Sequence, residues 1–486
     1  MTAPSETYDE VPYESYAYPQ SHPDNLATIA TLFGMEPRLL DGARVLEIGC
    51  AGGGNLLPVA AAYPRSGFVG IDISPLQIAQ AQAGVDALQM RNVELRAMGL
   101  ENLGEAFGTF DYIIAHGVYS WVAAPVREAL MALCGRLLNP HGVAYISFNT
   151  LPGARTRDTL REMAGYHALN VSDLRDRIGR TRALFAFLQD ACENREDTWA
   201  VSLKEELSQI AGVSDSYIAH EYLEEAGRPL YFHEFIDHAR RHGLQYLGDA
   251  EMQTMSSGDF PASVRNSLRA MAGSIEEAEQ YSDFVRNRAF RQTLLCRDSV
   301  ALKRAISPET LQRLHVASSL NPVSGDGTGS RFRDARGMVF EIPDPLTRAA
   351  LGALRDVWPE CVKFEALGKI ASQRAAIPLT PGQSAILAKG LLTCYSSTRD
   401  LEFRLHPTLF YPEVSEFPQA RNIVRWQATQ GSRVVNARHE NVLLSAEEKA
   451  LLPLLDGTRS LPSLAREFEN APAILEHFAR VALLVA

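Results

Sequence analysis

The stretch RVLEIGCAGGGN, Arg44–Asn55, decides how this chain folds. RVLEI is a short run of strand type, CAGGGN is a turn, and LLPVAAAY, which begins beside it, has the composition of a helix start. A strand, a glycine-rich turn and a helix in succession bring backbone amides to the carboxyl edge of a sheet, where α/β proteins meet their ligands. From Gly49 to Gly54 the turn nearly matches the dinucleotide fingerprint GxGxxG, but Ala51 stands at the second glycine, the one that lets a pyrophosphate approach. Glu47 lies two residues ahead of the turn. A carboxylate there repels a pyrophosphate and attracts a cation. The ligand expected over this turn is therefore cationic at that end.

Outward from the turn, short β-branched runs alternate with helical periods as far as Phe148. RVLEIG, FVGIDIS, VELRAM, FDYIIAHG and GVAYISF are interleaved with NLLPVAAAY, PLQIAQAQAGVDAL and PVREALMALCGRLL. Strands almost continuous in apolar residues are covered on both faces, which predicts a parallel sheet between helical layers. The expected fold class is α/β, a doubly wound Rossmann-like sheet over 44–153, preceded by an N-terminal lid and entry helix at 1–43. Apolar residues at three- and four-residue spacing predict a helical insertion over 154–230. Within 231–300, two helices each lead into a strand, and those strands are expected to complete the sheet from beyond the insertion. The segment 301–345 contains NPVSGDGTGSRFRDARG and is expected to be a linker; 346–486 is expected to be a smaller helical or winged-helix-like domain.

A length of 486 residues exceeds one ordinary core, and 46% hydrophobic with 22% charged residues is the balance of a folded chain. The net charge of -11 opposes a broad polyanion-binding face, so no nucleic-acid partner is expected. No stretch has the apolar length of a membrane span or the pattern of a secretory leader, so no membrane partner and a cytoplasmic location are expected. The six cysteines are scattered without CxxC or Cys/His ligand spacing; they are expected to be reduced thiols, with no metal site.

S-adenosylmethionine meets the requirement set by Glu47, with its α-ammonium and sulfonium over the turn and its ribose farther along the sheet edge. Asp72, which ends the second strand in FVGIDIS, stands where an acidic residue accepts from both ribose hydroxyls, with Ile73 beside it. EIGCAGGGN together with GIDIS resembles motif I and its acidic follow-up in class I S-adenosylmethionine-dependent methyltransferases. Glu47, Gly49 and Gly53 match the pattern E/DxGxGxG, and Ala51 replaces the middle glycine. YPQSHPDNLATIATLFG, FDYIIAHGVYSW and SFNTLPG are similar to bacterial methyltransferases with a methyltransferase regulatory domain, a group that includes rickettsial protein lysine methyltransferases acting on outer-membrane proteins. HEYLEEAGRPLYFHEFIDHARRHGLQYLGDAE and RNRAFRQTLLCR resemble the regulatory segment, and LLPLLDGTRSLPSLA resembles the C-terminal module. Residue reading and resemblance together give Tyr18, His22, Glu47, Gly49, Gly53, Asn55, Asp72, Ile73 and His116 as the expected cofactor contacts.

Methyl transfer needs a lone pair in line with the S–CH3 bond, so positioning and desolvation carry most of the catalysis. Tyr119, Trp121 and Asn149 are the candidates to shape an acceptor pocket in which electron-rich rings face the sulfonium. Tyr8, Tyr13, Tyr16 and Tyr18 occupy a segment too broken by proline for a helix and suit a lid. His220 and Glu221 are expected to be solvated helix residues. NTLP, Asn149–Pro152, follows the fifth strand, whereas the NPPY signature of amino-methylating DNA enzymes follows the fourth. The resemblance implies a lysine nitrogen of a protein as acceptor. A small-metabolite N- or O-methyltransferase and an S-adenosylmethionine-binding regulatory protein are the other two readings. Apolar C-terminal helices make a homodimer the expected assembly.

Overall fold

The computed structural model describes residues 11–12, 14–224, 227–323, 329–407 and 410–485; Tyr8 and Tyr13 of the expected lid lie outside the described residues. A strap runs from residue 14 through a 3-10 turn at Pro19–Ser21 to His22 and enters helix α1, Pro23–Leu32. His22 caps that helix, its Nδ1 accepting from the Asp24 N–H at 3.1 Å.

The central sheet has seven strands: β1 Arg44–Ile48, β2 Gly67–Asp72, β3 Val93–Ala97, β4 Phe110–Ala115, β5 Leu138–Asn149, β6 Leu244–Asp249 and β7 Phe290–Arg297. Their order is β3-β2-β1-β4-β5-β7-β6. The first five are parallel, and β7 is antiparallel to both β5 and β6. Helices α2 Leu56–Ala62, α3 Pro75–Ala87 and α4 Ala124–Leu137 cross between the parallel strands. After β3 the chain passes to the far side of β1, so the connections leaving β1 and β4 diverge and open a crevice at the carboxyl edge. Side chains alternate across the sheet: Val45 packs with Leu26, Ala30 and Leu56, whereas Leu46 and Ile48 pack with Leu130 and Phe235.

The insertion is four helices, α5 Arg155–His167, α6 Leu174–Cys192, α7 Thr198–Ile210 and α8 Asp215–Tyr222, around their own core of Leu160, Ile178, Leu203 and Tyr222. Helix α9, Phe232–Arg240, feeds β6, and α10, Ala262–Met271, with α11, Ile275–Arg286, leads to β7. Where β6 and β7 meet α11, Arg291 is 0% exposed and pairs with Asp249, Glu279 and Asp283, with Arg288 joining from the edge. Burial pushes the Glu279 carboxyl up to about 7 against the pull of Arg291. When Glu279 keeps its proton, two guanidinium groups face two carboxylates and the buried charge balances.

The segment expected to be a linker departs from that expectation. Residues 301–345 contain β8 His315–Ser318, β9 Asn321–Pro322, β10 Arg331–Arg333 and β11 Val339–Glu341. Leu311, Leu314, Val316, Leu320 and Phe332 bury into a core shared with α12 Pro345–Asp356, α13 Phe364–Ala375 and α14 Pro381–Tyr395. Gly337, at φ 85°, serves the turn between β10 and β11, and residues 324–328 of the expected linker lie outside the described residues. The strands β12 Val362–Lys363 and β13 Leu401–Arg404 flank β8.

The remainder is a second unit: α15 Asn422–Gln430, the hairpin β14 Arg433–Val435 with β15 Asn441–Leu443, then α16 Ala446–Leu451, α17 Leu461–Glu467 and α18 Ala471–Arg480. Its apolar residues merge with the core on the α2 face of the sheet. Contact is close enough that a Cβ on Gly84 of α3 would lie 2.8 Å from the Trp426 ring. Ile474, Leu475 and Phe478 of α18 are buried within the chain, so the apolar surface that suggested a homodimer finds its cover in the same molecule. Among the described residues, no helix is long and apolar enough to cross a membrane.

Candidate functional site

The turn after β1 is held by its own sequence. Gly49 (φ 72°) and Gly53 (φ 78°) take left-handed conformations, and a Cβ on Gly49 would lie 2.8 Å from Val118. Ala51 shares the left-handed region at φ 46°, which for a residue with a Cβ costs about 1–2 kcal/mol. The Asp72 carboxylate secures this strained residue: Oδ2 accepts from the Ala51 N–H and Oδ1 from the Ser74 N–H, both at 2.9 Å. Ala51→Gly should therefore raise stability by about 1 kcal/mol, measured by denaturant unfolding, with cofactor affinity equal or tighter. A destabilised glycine variant would show that the Ala51 methyl makes packing worth more than the strain.

Glu47, the last residue but one of β1, is 3% exposed. Its Oε1 accepts from Asn55 Nδ2 at 2.8 Å, whereas its Oε2 is buried without a hydrogen-bond partner among the described residues. A buried carboxylate oxygen with no donor is costly unless something cationic or protic faces it. Burial pushes this carboxyl up to about 8, with Asp72 adding to the shift and Asn55 opposing it. The residues thus fit the cation expected from the sequence. Without a ligand, Glu47 keeps its proton below that value, and a docking ammonium favours the ionised form. Affinity for S-adenosylhomocysteine, which carries the same α-ammonium, should rise from about pH 6 to about pH 8 and then flatten, with proton release on binding at pH 7. Calorimetry in two buffers of different ionisation enthalpy reads that release; pH-independent affinity with none would remove Glu47 from the role. In the ligand-free chain, the stability that Glu47 contributes is complete below its ordinary carboxylate value and is lost as pH rises through about 8.

The strap crosses the turn directly. Ser15 Oγ accepts from the Gly54 N–H at 2.7 Å, and a Cβ on Gly54 would run into the Ser15 carbonyl. Tyr18 donates its backbone N–H to Asn55 Oδ1 at 2.8 Å and stacks its ring on His116, with centroids 3.7 Å apart. Burial, then Glu47 and Glu221, push the Tyr18 hydroxyl up to about 12. His116 Nδ1 is 2.8 Å from Tyr145 Oη, and burial holds the imidazole down to about 4, so it is neutral. Phe290 meets the same imidazole edge-on at 6.1 Å. Tyr18, His116, Tyr145 and Phe290 therefore form one aromatic group over the tips of β4, β5 and β7.

Not every expected residue joins it. Tyr119 is 2% exposed and faces Phe235 and His238 of α9, its hydroxyl 2.8 Å from His238 Nδ1. It ties β4 to the regulatory segment instead of lining the acceptor side. Beyond it, Glu128 spans His238 at 3.0 Å and His242 at 2.8 Å, extending the same tie. Trp121 lies under Arg161 of α5 and against Gly227, where a Cβ would be 2.5 Å from its ring. Asn149, 8% exposed, pairs with Phe290 across β5 and β7, and its side-chain amide takes no hydrogen bond from the described residues. Ile73, beyond the tip of β2, is 40% exposed. His22 sits behind Glu47, 5.2 Å from the ring of His439, with burial holding it neutral. His220 corrects the expectation of a solvated residue: it is buried, and its Nε2 donates to the Val11 carbonyl, ahead of the strap, at 2.8 Å. Tyr145 and Phe290 escaped the sequence reading, although the strand periodicity of GVAYISF and FRQTLLCR was visible; which of their faces meets the crevice depends on β7 inserting antiparallel beside β5.

A mostly parallel sheet of this order, with β7 antiparallel and acidic residues at the tips of β1 and β2 around a glycine turn, defines a class I methyltransferase fold. Family models agree: a methyltransferase domain matches residues 45–142, a predicted methyltransferase regulatory domain 214–297, and the C-terminal winged helix domain of PKMT 416–473. The chain belongs to the S-adenosylmethionine-dependent methyltransferases that combine these three parts. PKMT2 from Rickettsia typhi superposes with a TM-score of 0.88 at 29% identity, over 98% of this chain and 100% of that one. The same protein in complex with AdoHcy gives 0.86. Two uncharacterized proteins of Rickettsia prowazekii are similar, at 42% identity over 65% of this chain and 40% over 50%. The match spans 57% of the first relative's length and 96% of the second's.

Proposed function

We propose that the chain transfers methyl groups from S-adenosylmethionine to the side-chain nitrogen of lysine in a protein substrate. The observation that carries the cofactor part is the unpartnered oxygen of buried Glu47 under the strap-covered turn. The likeness to PKMT2 along the whole chain supports a protein lysine as acceptor. In this reading Glu47 receives the α-ammonium, Asp72 accepts from the ribose hydroxyls with Ile73 beside it, and the turn of Gly49 and Gly53 gives the close approach. Tyr18 and His116, stacked on one another, place an electron-rich aromatic wall beside the sulfonium, which suits a cation. Asn149 and Phe290 border the acceptor side.

A lysine amine must be neutral to attack, and its ordinary pKa is about 10.4. Burial beside a cation lowers it, so the proton leaves to water before transfer. His116 is a poor base for that proton, since burial holds it down to about 4. The chain's own contribution is to orient the two reactants and exclude water once the strap covers the turn. Incubation with methyl-labelled S-adenosylmethionine and a lysate tests the reading. Label in protein bands, mapped to lysine by mass spectrometry, is expected; label confined to small molecules would overturn the protein acceptor and favour a metabolite methyltransferase.

A further inference from the structure

The hairpin β14–β15, the wing of the C-terminal domain, reaches the glycine turn. His439, in the loop between its strands, is 4% exposed and places Nε2 2.8 Å from Asn55 Oδ1. Asn55 is the residue whose other amide atom donates to Glu47. The amide cannot be turned over, because the Tyr18 backbone N–H, a donor only, also faces Oδ1. His439 must then carry its proton on Nε2. Burial and the charge of Arg404 hold its pKa down to about 3, so it stays a neutral donor.

The loop is built to present this side chain. His439 has φ 65°, an uncommon conformation that persists where neighbours fix it. Asn436 Oδ1 accepts from the N–H groups of Arg438 and Glu440, both at 2.9 Å, and its Nδ2 donates to the Val481 carbonyl at 2.9 Å. Arg438 lies 4.1 Å from the Trp358 ring centroid and pairs with Glu402. One strand farther, Asn441 grips the strap at two points: Oδ1 accepts from the Ala17 N–H at 3.1 Å, and Nδ2 donates to the Ala17 carbonyl at 2.8 Å. Arg433 covers the Tyr16 ring at 4.3 Å.

We infer that this hairpin is a working part of the cofactor crevice: His439 is a positioning residue that orients Glu47 through Asn55, and Asn441 latches the strap over the turn. The inference rests on the reading that the crevice holds S-adenosylmethionine. It gives the C-terminal domain a task in cofactor retention, and it occupies the wing with the chain's own strap.

The test uses the full chain, S-adenosylhomocysteine as probe, and the variants His439→Ala, His439→Gln and Asn441→Ala. Calorimetry should show His439→Ala binding about tenfold more weakly, and His439→Gln, whose amide N–H reaches the same acceptor, within about threefold of the unaltered chain. Asn441 is exposed, so its variant should keep the unaltered melting temperature. Limited chymotrypsin cleavage after Tyr16, the bond next to the latched Ala17, should be about tenfold faster in Asn441→Ala with ligand present, following the population of the opened strap. A glutamine variant as weak as the alanine one, or an alanine variant as tight as the unaltered chain, would overturn the role of His439. Unchanged cleavage in Asn441→Ala would overturn the latch, and this arm decides even if the buried His439 variants do not fold. If the unaltered chain ignores the probe, the cofactor reading itself falls and takes this inference with it.

Discussion

Asp72→Ala should weaken S-adenosylhomocysteine binding by at least about a hundredfold, the largest effect on affinity expected from a single side chain here, since each charge-assisted hydrogen bond contributes ~1.5–3 kcal/mol. The carboxylate is placed to serve twice. It accepts from the Ala51 and Ser74 amides, fixing the strained turn against the start of α3, and in the proposed reading it accepts from the ribose hydroxyls. Removing it loosens the support and the contact together. Asp72→Asn separates them, because the amide keeps one acceptor for the Ala51 N–H but loses the charge. An intermediate loss is expected for asparagine, with a melting temperature nearer the unaltered chain than that of alanine. Equal affinity of all three proteins by calorimetry would leave Asp72 a purely structural brace.

Arg291→Met should give the largest loss of stability, about 3–5 kcal/mol, because it strands carboxylates inside the protein. Asp249, Glu279 and Asp283 converge on this side chain, and Arg288 is the other cation of the cluster. Methionine fills much of the space and leaves the charge unbalanced. The melting temperature should fall by about 10 °C, scaled from the smaller shift per kcal/mol in large domains. Adding Asp283→Asn should restore part of the loss, since it neutralises the carboxylate nearest the vacated position, 2.8 Å from Arg291. The cluster joins β6, β7 and α11 close to Phe290, so this test also asks how firmly the regulatory segment holds the acceptor side. A single variant as stable as the unaltered chain would mean that solvent reaches the cluster.

Local chemistry made much of this molecule legible. The parallel sheet shows in β-branched runs at helical intervals, since strands covered on both faces must be apolar throughout. The glycine turn and its two acids are likewise local, because a backbone in the left-handed region and a carboxylate at a strand tip are set within a few residues of one another. Composition misled at 301–345, whose glycine and small polar residues look like a tether although Leu311, Val316 and Phe332 share a core.

The site's wider ring was not legible in that way. Tyr119 and Tyr145 both belong to aromatic-bearing segments near strand ends, yet one turns to His238 and the other to His116. That choice follows from which helix covers each face of the sheet.

From its sequence alone the chain determined a doubly wound sheet, a cationic ligand over the first turn and an acid at the second strand tip, because each depends on neighbours a few positions apart. Only the folded whole decided that Phe290 pairs with Asn149, that His220 meets the Val11 carbonyl, and that His439 reaches Asn55 across 384 positions. Residues so distant meet only when separate cores dock, and the pattern along a chain records which face of a segment is apolar, not which other segment will cover it.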